Sequence, residues 1–303
     1  MRVLVTGAGG YLGRAVVRQL IGAGHRVSVL VHRTSVTDPD VELFHGDVLD
    51  PDAVLHAVRG SEAVVHLAGQ SGPPTRPARH YRLNVGGAAT VLDALTAAAA
   101  AVEDAPAFVL ASTGDVYGRT GRHPLREDAR TLPRDAFADA KLAAEHLLGW
   151  TARTGRIAAV SLRIFNAAGA VDGVGDGDDA HTIPGVLAAA RGQTAHFAVS
   201  GDGSAVRDLV HVLDIGSAVT TALGACRPGA HEVFNVGGPG ASVDHIAQLV
   251  AQETGRTPPI VYRPGETGPA PQPRANTAKL RRLGWRAEHS DPARLVREQA
   301  AAR

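Results

Sequence analysis

Residues 2–21 read RVLVTGAGGYLGRAVVRQLI: a short apolar run, then glycines at 7, 10 and 13, then a helical pattern that starts at Leu12. A strand that must turn into a helix within a few residues leaves few folds open. Gly7 permits the tight turn. Gly10 lets backbone approach a pyrophosphate, and Gly13 lets the helix pack on the strand. The free N–H groups at the helix start then face an anion. These glycines, with Tyr11 and Leu12 between them, are candidate contacts to a dinucleotide.

The pattern that follows extends this beginning. RVSVLV (26–31), VELFH (41–45), AVVHLA (63–68), AFVLAS (107–112) and IAAVSLRIF (157–165) are further apolar runs. Helical stretches at about 51–58, 79–102 and 137–154 separate most of them. Strands alternating with helices imply right-handed βαβ units and a parallel sheet covered on both faces. The expected fold is α/β, a Rossmann-type doubly wound sheet, with residues 1–166 as its dinucleotide-binding domain. After Asn166 the texture changes. AAGAVDGVGDGDDAHTIPG (167–185) reads as a loop, and the Pro-rich TPPIVYRPGETGPAPQPRANT (257–277) reads as irregular. Residues 167–203 and 236–303 are read as a smaller C-terminal substrate-binding lobe. Residues 204–235, including VRDLVHVLDIGSAVTTAL (206–223), are expected to return to the main sheet.

Composition excludes several classes. A net charge of +1 over 303 residues gives no reason to expect nucleic acid or an anionic membrane as partner. Cys226 is the single cysteine, so no intrachain disulfide can form, and no metal site is expected. No apolar run approaches the roughly 20 residues that span a bilayer. The start MRVLVTGAGG lacks the order of a signal peptide, so a cytoplasmic location is expected.

The spacing TGxxGxxG resembles the extended short-chain dehydrogenase/reductase superfamily and, within it, the NAD-dependent epimerase/dehydratase family. Further segments carry the resemblance in order. HGDVLD (45–50) looks like the adenine segment, with Asp47 and Val48. VVHLAGQ (64–70) resembles the fourth-strand motif beside the cofactor, with Leu67, Ala68 and Gly69. YRLNVGGAATVLDAL (81–95) carries Asn84. ASTGDVYG (111–118) matches the segment of the catalytic Ser/Thr, here Thr113. LRIFNAAGA (162–170), AHTIP (180–184), GDGSAVRDLVHVLDI (201–215) and YRPGE (262–266) resemble the UDP-hexose 4-epimerases most closely. The resemblance implies a UDP-sugar substrate. Arg207 and Arg263 would take its diphosphate, Asn166 a phosphate or sugar oxygen, and Phe197 would lie near the base. Glu266 stands where epimerases have Asp. The resemblance also implies a homodimer paired through the helices at 79–102 and 137–154.

Two departures matter. Family members that use NAD end the second strand with Asp or Glu; here Val31 is followed by His32 and Arg33. A cation there suits a 2′-phosphate, so the cofactor is expected to be NAD or NADP, with NADP favoured. The second departure is in DAFADAKLAAE. The family pairs a catalytic Tyr with a Lys four residues on, and this chain has Phe137 and Lys141. Phenyl fills the place of a phenol without its titratable proton. Three readings stay open: a Tyr-to-Phe form disarmed on purpose, natural divergence with Thr113 or Asp115 taking over proton transfer, or a binding protein that has lost catalysis. Asp115 lies where dehydratases of the family carry Glu. A dehydratase or an NADPH-dependent 4-ketoreductase is therefore the alternative to a UDP-hexose 4-epimerase.

Overall fold

A computed structural model describes residues 1–33, 36, 38–71, 76–99, 105–118, 124–263 and 273–302. Glu266 and the rest of 264–272 lie outside the described residues. The first six strands are β1 (Arg2–Thr6), β2 (Arg26–Val31), β3 (Val41–His45), β4 (Ala63–His66), β5 (Ala107–Thr113) and β6 (Ala158–Ile164). The helices that accompany them are α1 (Tyr11–Gly22), α2 (Pro51–Val58), α3 (Pro77–His80), α4 (Gly87–Ala99) and α5 (Ala136–Ala152). A π-helical turn, Tyr81–Gly86, joins α3 to α4.

These six strands and β12 (His231–Val236) form one sheet in the order β12-β6-β5-β4-β1-β2-β3, with every pairing parallel. The strands are continuous apolar runs because both faces are covered: all seven residues of β5 are buried. On one face α1 packs with α7 (Val212–Ala225), and Val16, Leu20, Ile215 and Val219 meet there. On the other, Val54, Val91, Leu95 and Leu148 from α2, α4 and α5 fill the layer. The chain builds β1 to β3 outward in one direction and β4 onward in the other. The strand order therefore reverses between β1 and β4, and a crevice opens beyond their carboxyl ends.

Segment 167–185 is more ordered than its composition suggests. It holds β7 (Asn166–Ala168) and a tight antiparallel pair, β8 (Ala170–Val171) and β9 (Val174–Gly175), joined by Asp172 and Gly173. It ends in the start of α6 (Thr182–Ala190). Strands of two or three residues are too short to show a periodicity in sequence. Residues 206–223 also divide. The strand β11 (Val206–His211) pairs with β7 and with β13 (Gly240–Ser242) in a separate sheet, and only α7 reaches the main one. In the Pro-rich segment, β14 (Ile260–Arg263) pairs with β10 (Phe197–Ser200). The helices α8 (Val243–Thr254), α9 (Ala278–Arg281) and α10 (Pro292–Ala301) complete the chain. α6, α8 and α10 share an apolar cluster around Ile183, Ile246 and Leu295. No helix among the described residues is long and apolar enough to cross a membrane.

Candidate active site

The crevice at the reversal of strand order is a cleft of about 440 Å³, walled on one side by the main sheet and on the other by the small lobe. The turn after β1 forms its floor. Gly7 has φ +75°, and a Cβ there would stand 2.6 Å from the amide nitrogen of Ala68, just past β4. Only glycine lets the two strand ends approach this closely. Gly10 begins α1 without a capping side chain, whereas Asp50 caps α2 and Asp135 caps α5. Among the described residues, no side chain caps the N–H groups of the first turn of α1. That suits a pyrophosphate, which supplies the missing acceptors and answers the helix dipole. Gly10, Tyr11, Leu12, Gly13, Leu67 and Gly69 line this part.

The adenine end lies apart. His32 and Arg33 follow β2, and Asp47 follows β3. Because β2 and β3 are neighbours, His32 Nδ1 comes within 3.8 Å of Asp47 Oδ2. Asp47 Oδ1 also accepts from the Leu49 amide, and Val48 packs against the start of α4 at Gly87. Asn84 does not line the cleft. It is buried in the π-helical turn and clamps the Gln70 backbone through two hydrogen bonds of 3.0 Å.

At the centre, Thr113 ends β5, and Phe137 and Lys141 face the cleft from α5. Lys141 Nζ donates to the Ala111 carbonyl at 2.8 Å. Burial lowers its pKa to about 8, with Glu145 opposing the shift. Phe137 sets its ring edge-on to His80, with centroids 6.1 Å apart. Thr113 Oγ1 donates to Asp115 Oδ2 at 3.1 Å and accepts from the Asp115 amide at 3.2 Å. Asp115 is exposed to the cleft, and protein atoms crowd about its carboxyl. Burial pushes its carboxyl above the usual range; Asp135 adds to the rise, while the Thr113 hydroxyl, Arg207 and His181 pull against it.

The far wall belongs to the small lobe. Asn166 and Arg207 line it, and Asn166 Nδ2 donates to the Asp208 carbonyl at 2.7 Å. Burial lowers the pKa of Arg207, with Asp115 opposing. Phe197 and Arg263 lie on the β10–β14 pair and do not line the cleft; Phe197 packs beneath Gly185 of α6. Several contacts that tie this wall together carry no signal in the sequence. Tyr11 Oη crosses to the Gly169 carbonyl at 2.6 Å. His181 Nδ1 donates to Asp176 Oδ2 at 2.6 Å, and this bond raises the His181 pKa against the pull of burial. Gln299, from α10, holds the backbone of Asp176 through both its amide and its carbonyl.

The sequence profile of the NAD-dependent epimerase/dehydratase family matches residues 3–237. The chain belongs to that family. It is similar to the UDP-glucose 4-epimerases of Corynebacterium glutamicum and Halalkalibacterium halodurans, 32% identical to each over 98% and 94% of this chain and 94% and 90% of theirs. Among solved structures it is similar to the UDP-glucose 4-epimerase of Brucella ovis in complex with NAD, with a TM-score of 0.89 and 29% identity over 99% of this chain and 97% of that one. The enzyme of Stenotrophomonas maltophila, solved with NAD and formylated UDP-arabinopyranose, has a TM-score of 0.88 and 27% identity over the same shares. Family membership and a fitting cradle agree that the cleft is built for a nicotinamide dinucleotide.

The buried ammonium of Lys141 generates a test. Its folded pKa, about 8, lies below the ordinary lysine value of 10.5. The cost of burying the charge is therefore present in full below pH 8 and is released as pH rises from 8 towards 10.5. Lys141→Met is expected to be more stable than the parent chain at pH 7 by about 1–3 kcal/mol. Urea unfolding should show that advantage shrink between pH 8 and 10.

Proposed function

We propose that this chain is a UDP-hexose 4-epimerase that oxidises C4 transiently with a bound nicotinamide dinucleotide and returns the hydride to the other face. The observation that carries the reading is the position of Thr113 and Lys141 in one cleft, between an uncapped helix start on one side and Arg207 on the other. The dinucleotide supplies a hydride acceptor and nothing else is required of it. The chain's own residues bind, orient and handle the proton. The α1 amides take the pyrophosphate, Asp47 the adenine, and Lys141 the nicotinamide ribose and the field of a nearby cation. Arg207 suits the substrate diphosphate because its planar fork bonds two oxygens at once. Asn166 takes a phosphate or sugar oxygen. Phe197 serves the base end of the small lobe, and Arg263, on the neighbouring strand, is the second diphosphate group.

The solved relatives named above carry NAD, and NAD is the cofactor we propose. Arg33 is exposed after β2 and is the group that would receive the 2′-phosphate of NADP. The protein acts in the cytoplasm as a homodimer. The Ala- and Leu-rich helices α4 and α5 supply its interface, with Trp150 68% exposed on α5. Sedimentation should give a dimer mass at micromolar concentration; a monomer mass that does not change with concentration would end this part.

Incubation with UDP-glucose should yield UDP-galactose with no net consumption of cofactor. Net consumption of reduced dinucleotide would indicate a reductase, and an inert chain that still binds UDP-sugar and NAD would indicate a binding protein. Arg207→Ala should weaken UDP binding by about 1.5–3 kcal/mol, the range for a lost charge-assisted hydrogen bond. Calorimetry should find NAD affinity little changed, since its cradle is on the other wall. Equal loss for both ligands would contradict the assignment.

A further inference from the structure

We propose that Asp115, working through the Thr113 hydroxyl, receives the proton of the sugar C4 hydroxyl in this chain, in place of the phenol that Phe137 does not supply. The inference rests on the C4-oxidation reading above and assigns its missing base.

The first ground is hydrogen-bond accounting at Thr113. A hydroxyl has one donor and two acceptor positions. The donor is spent on Asp115 Oδ2, and one acceptor position is spent on the Asp115 amide. One lone pair remains. Thr113 lines the cleft, so that lone pair can only accept from a ligand, and the ligand group it suits is a hydroxyl. With Asp115 ionised, the arrangement is polarised to draw a proton away from the sugar.

The second ground is the state of the other titratable groups in the cleft. The Tyr11 hydroxyl is committed to the Gly169 carbonyl. Asp176 and His181 are committed to each other on the far wall. Asp178 accepts from the Ala180 amide beside them. Lys141 and Arg207 are cations near neutral pH and cannot receive a proton. Among the described residues that line the cleft, Asp115 is the carboxylate bonded to Thr113.

The third ground is place. The charged groups that face Asp115 are Asp135, Arg207 and His181. Asp135 caps α5 two residues before Phe137, so Asp115 lies at the end of α5 that carries the Tyr position. Arg207 and His181 face it from the small lobe, where the substrate is held. Asp115 and Phe137 line the same cleft, with Arg207 and His181 across from them on the small lobe.

The C4–H bond breaks and its electron pair leaves as hydride to the oxidised nicotinamide. The C4–O bond becomes a carbonyl. The hydroxyl proton forms a bond to Thr113 Oγ1 while the original Thr113 proton passes to Asp115 Oδ2. Reduction reverses each transfer after the keto sugar has turned.

The test uses the full chain with NAD and four proteins: the parent, Asp115→Asn, Phe137→Tyr and the double variant. UDP-glucose is mixed in single turnover across pH 5–9, and reduced nicotinamide is read at 340 nm. The parent rate should rise with pH along an acid limb as Asp115 ionises. Asp115→Asn should be at least about 100-fold slower, the lower range for loss of a general base. Phe137→Tyr in the Asp115→Asn background should restore the rate and move the limb to higher pH, which a merely structural role for Asp115 would not do. Binding gives a second readout without cofactor. The parent should hold UDP-glucose several-fold more tightly than its 4-deoxy analogue, and Thr113→Val should lose that preference. An Asp115→Asn rate equal to the parent, a double variant that stays slow, or no preference for the 4-hydroxyl would overturn the inference. Deuterium from heavy water appearing at C5 in an Asp115-dependent way would also overturn it, assigning the carboxylate to dehydratase-type chemistry. A parent chain that is inert while Phe137→Tyr is active would overturn the inference and leave the epimerase reading standing. If all four are inert, both fall.

Discussion

The buried ion pair between Glu145 and Arg163 fixes the parts of the cleft relative to one another. The two side chains are 3% and 7% exposed. Arg163 donates from all three nitrogens: Nε and Nη2 to Glu145, and Nη1 to the Tyr117 hydroxyl and the Glu127 carbonyl. Ser112 donates to the same carboxylate at 2.5 Å. Tyr117 in turn donates to Asn235 of β12. Burial works against the guanidinium charge, but Glu145 outweighs it and holds Arg163 charged. Two charges taken out of water are tolerable only when this well satisfied, and removing one partner alone strands the other. The pair ties α5 to β5 and β6. Phe137 and Lys141 ride on α5, Thr113 follows Ser112, and Asn166 follows the end of β6. One network therefore sets the register of three elements that meet in the cleft.

A second consequence concerns the field in the cleft. Glu145 stands one helical turn after Lys141 and favours its ammonium against burial. Close by, burial first and Lys141 second push the His66 pKa down to about 3, so that ring stays neutral, with Nδ1 against the Thr6 hydroxyl at 2.9 Å. Among the described residues the centre thus pairs a buried cation, Lys141, with a carboxylate open to the cleft, Asp115. Phe137 removes a single oxygen from this centre and leaves its shape. What changes is where a proton can go, and the bond between Thr113 and Asp115 offers it a route.

Much of the site was legible because it is local. The glycines at 7, 10 and 13 sit in one strand–turn–helix unit. Phe137 and Lys141 are one helical turn apart, and Thr113 and Asp115 are two residues apart. Spacing of this kind survives folding unchanged. Alternation of strands and helices likewise gave the main sheet, because strands buried on both faces show as unbroken apolar runs. What stayed hidden depends on contacts across the chain. The Tyr11–Gly169 bond spans 158 residues, and the grip of Gln299 on Asp176 spans 123. Asn84 and Gln70 are nearer in sequence, but their bonds run from a side chain to backbone, which leaves no pattern of residue types. The separate sheet of β7, β11 and β13 was hidden for a related reason. A short strand such as VRDLVH names no partner, so its sheet is decided by packing.

The central claim is that C4 of the bound sugar gives up and regains its hydrogen inside this cleft. A single turnover with UDP-glucose deuterated at C4 tests it directly. Mass spectrometry should find the deuterium on the nicotinamide ring during the turnover and back on C4 of both epimers afterwards, with none in solvent. Loss of the label to water, or interconversion of the epimers without the label ever reaching the dinucleotide, would contradict the account.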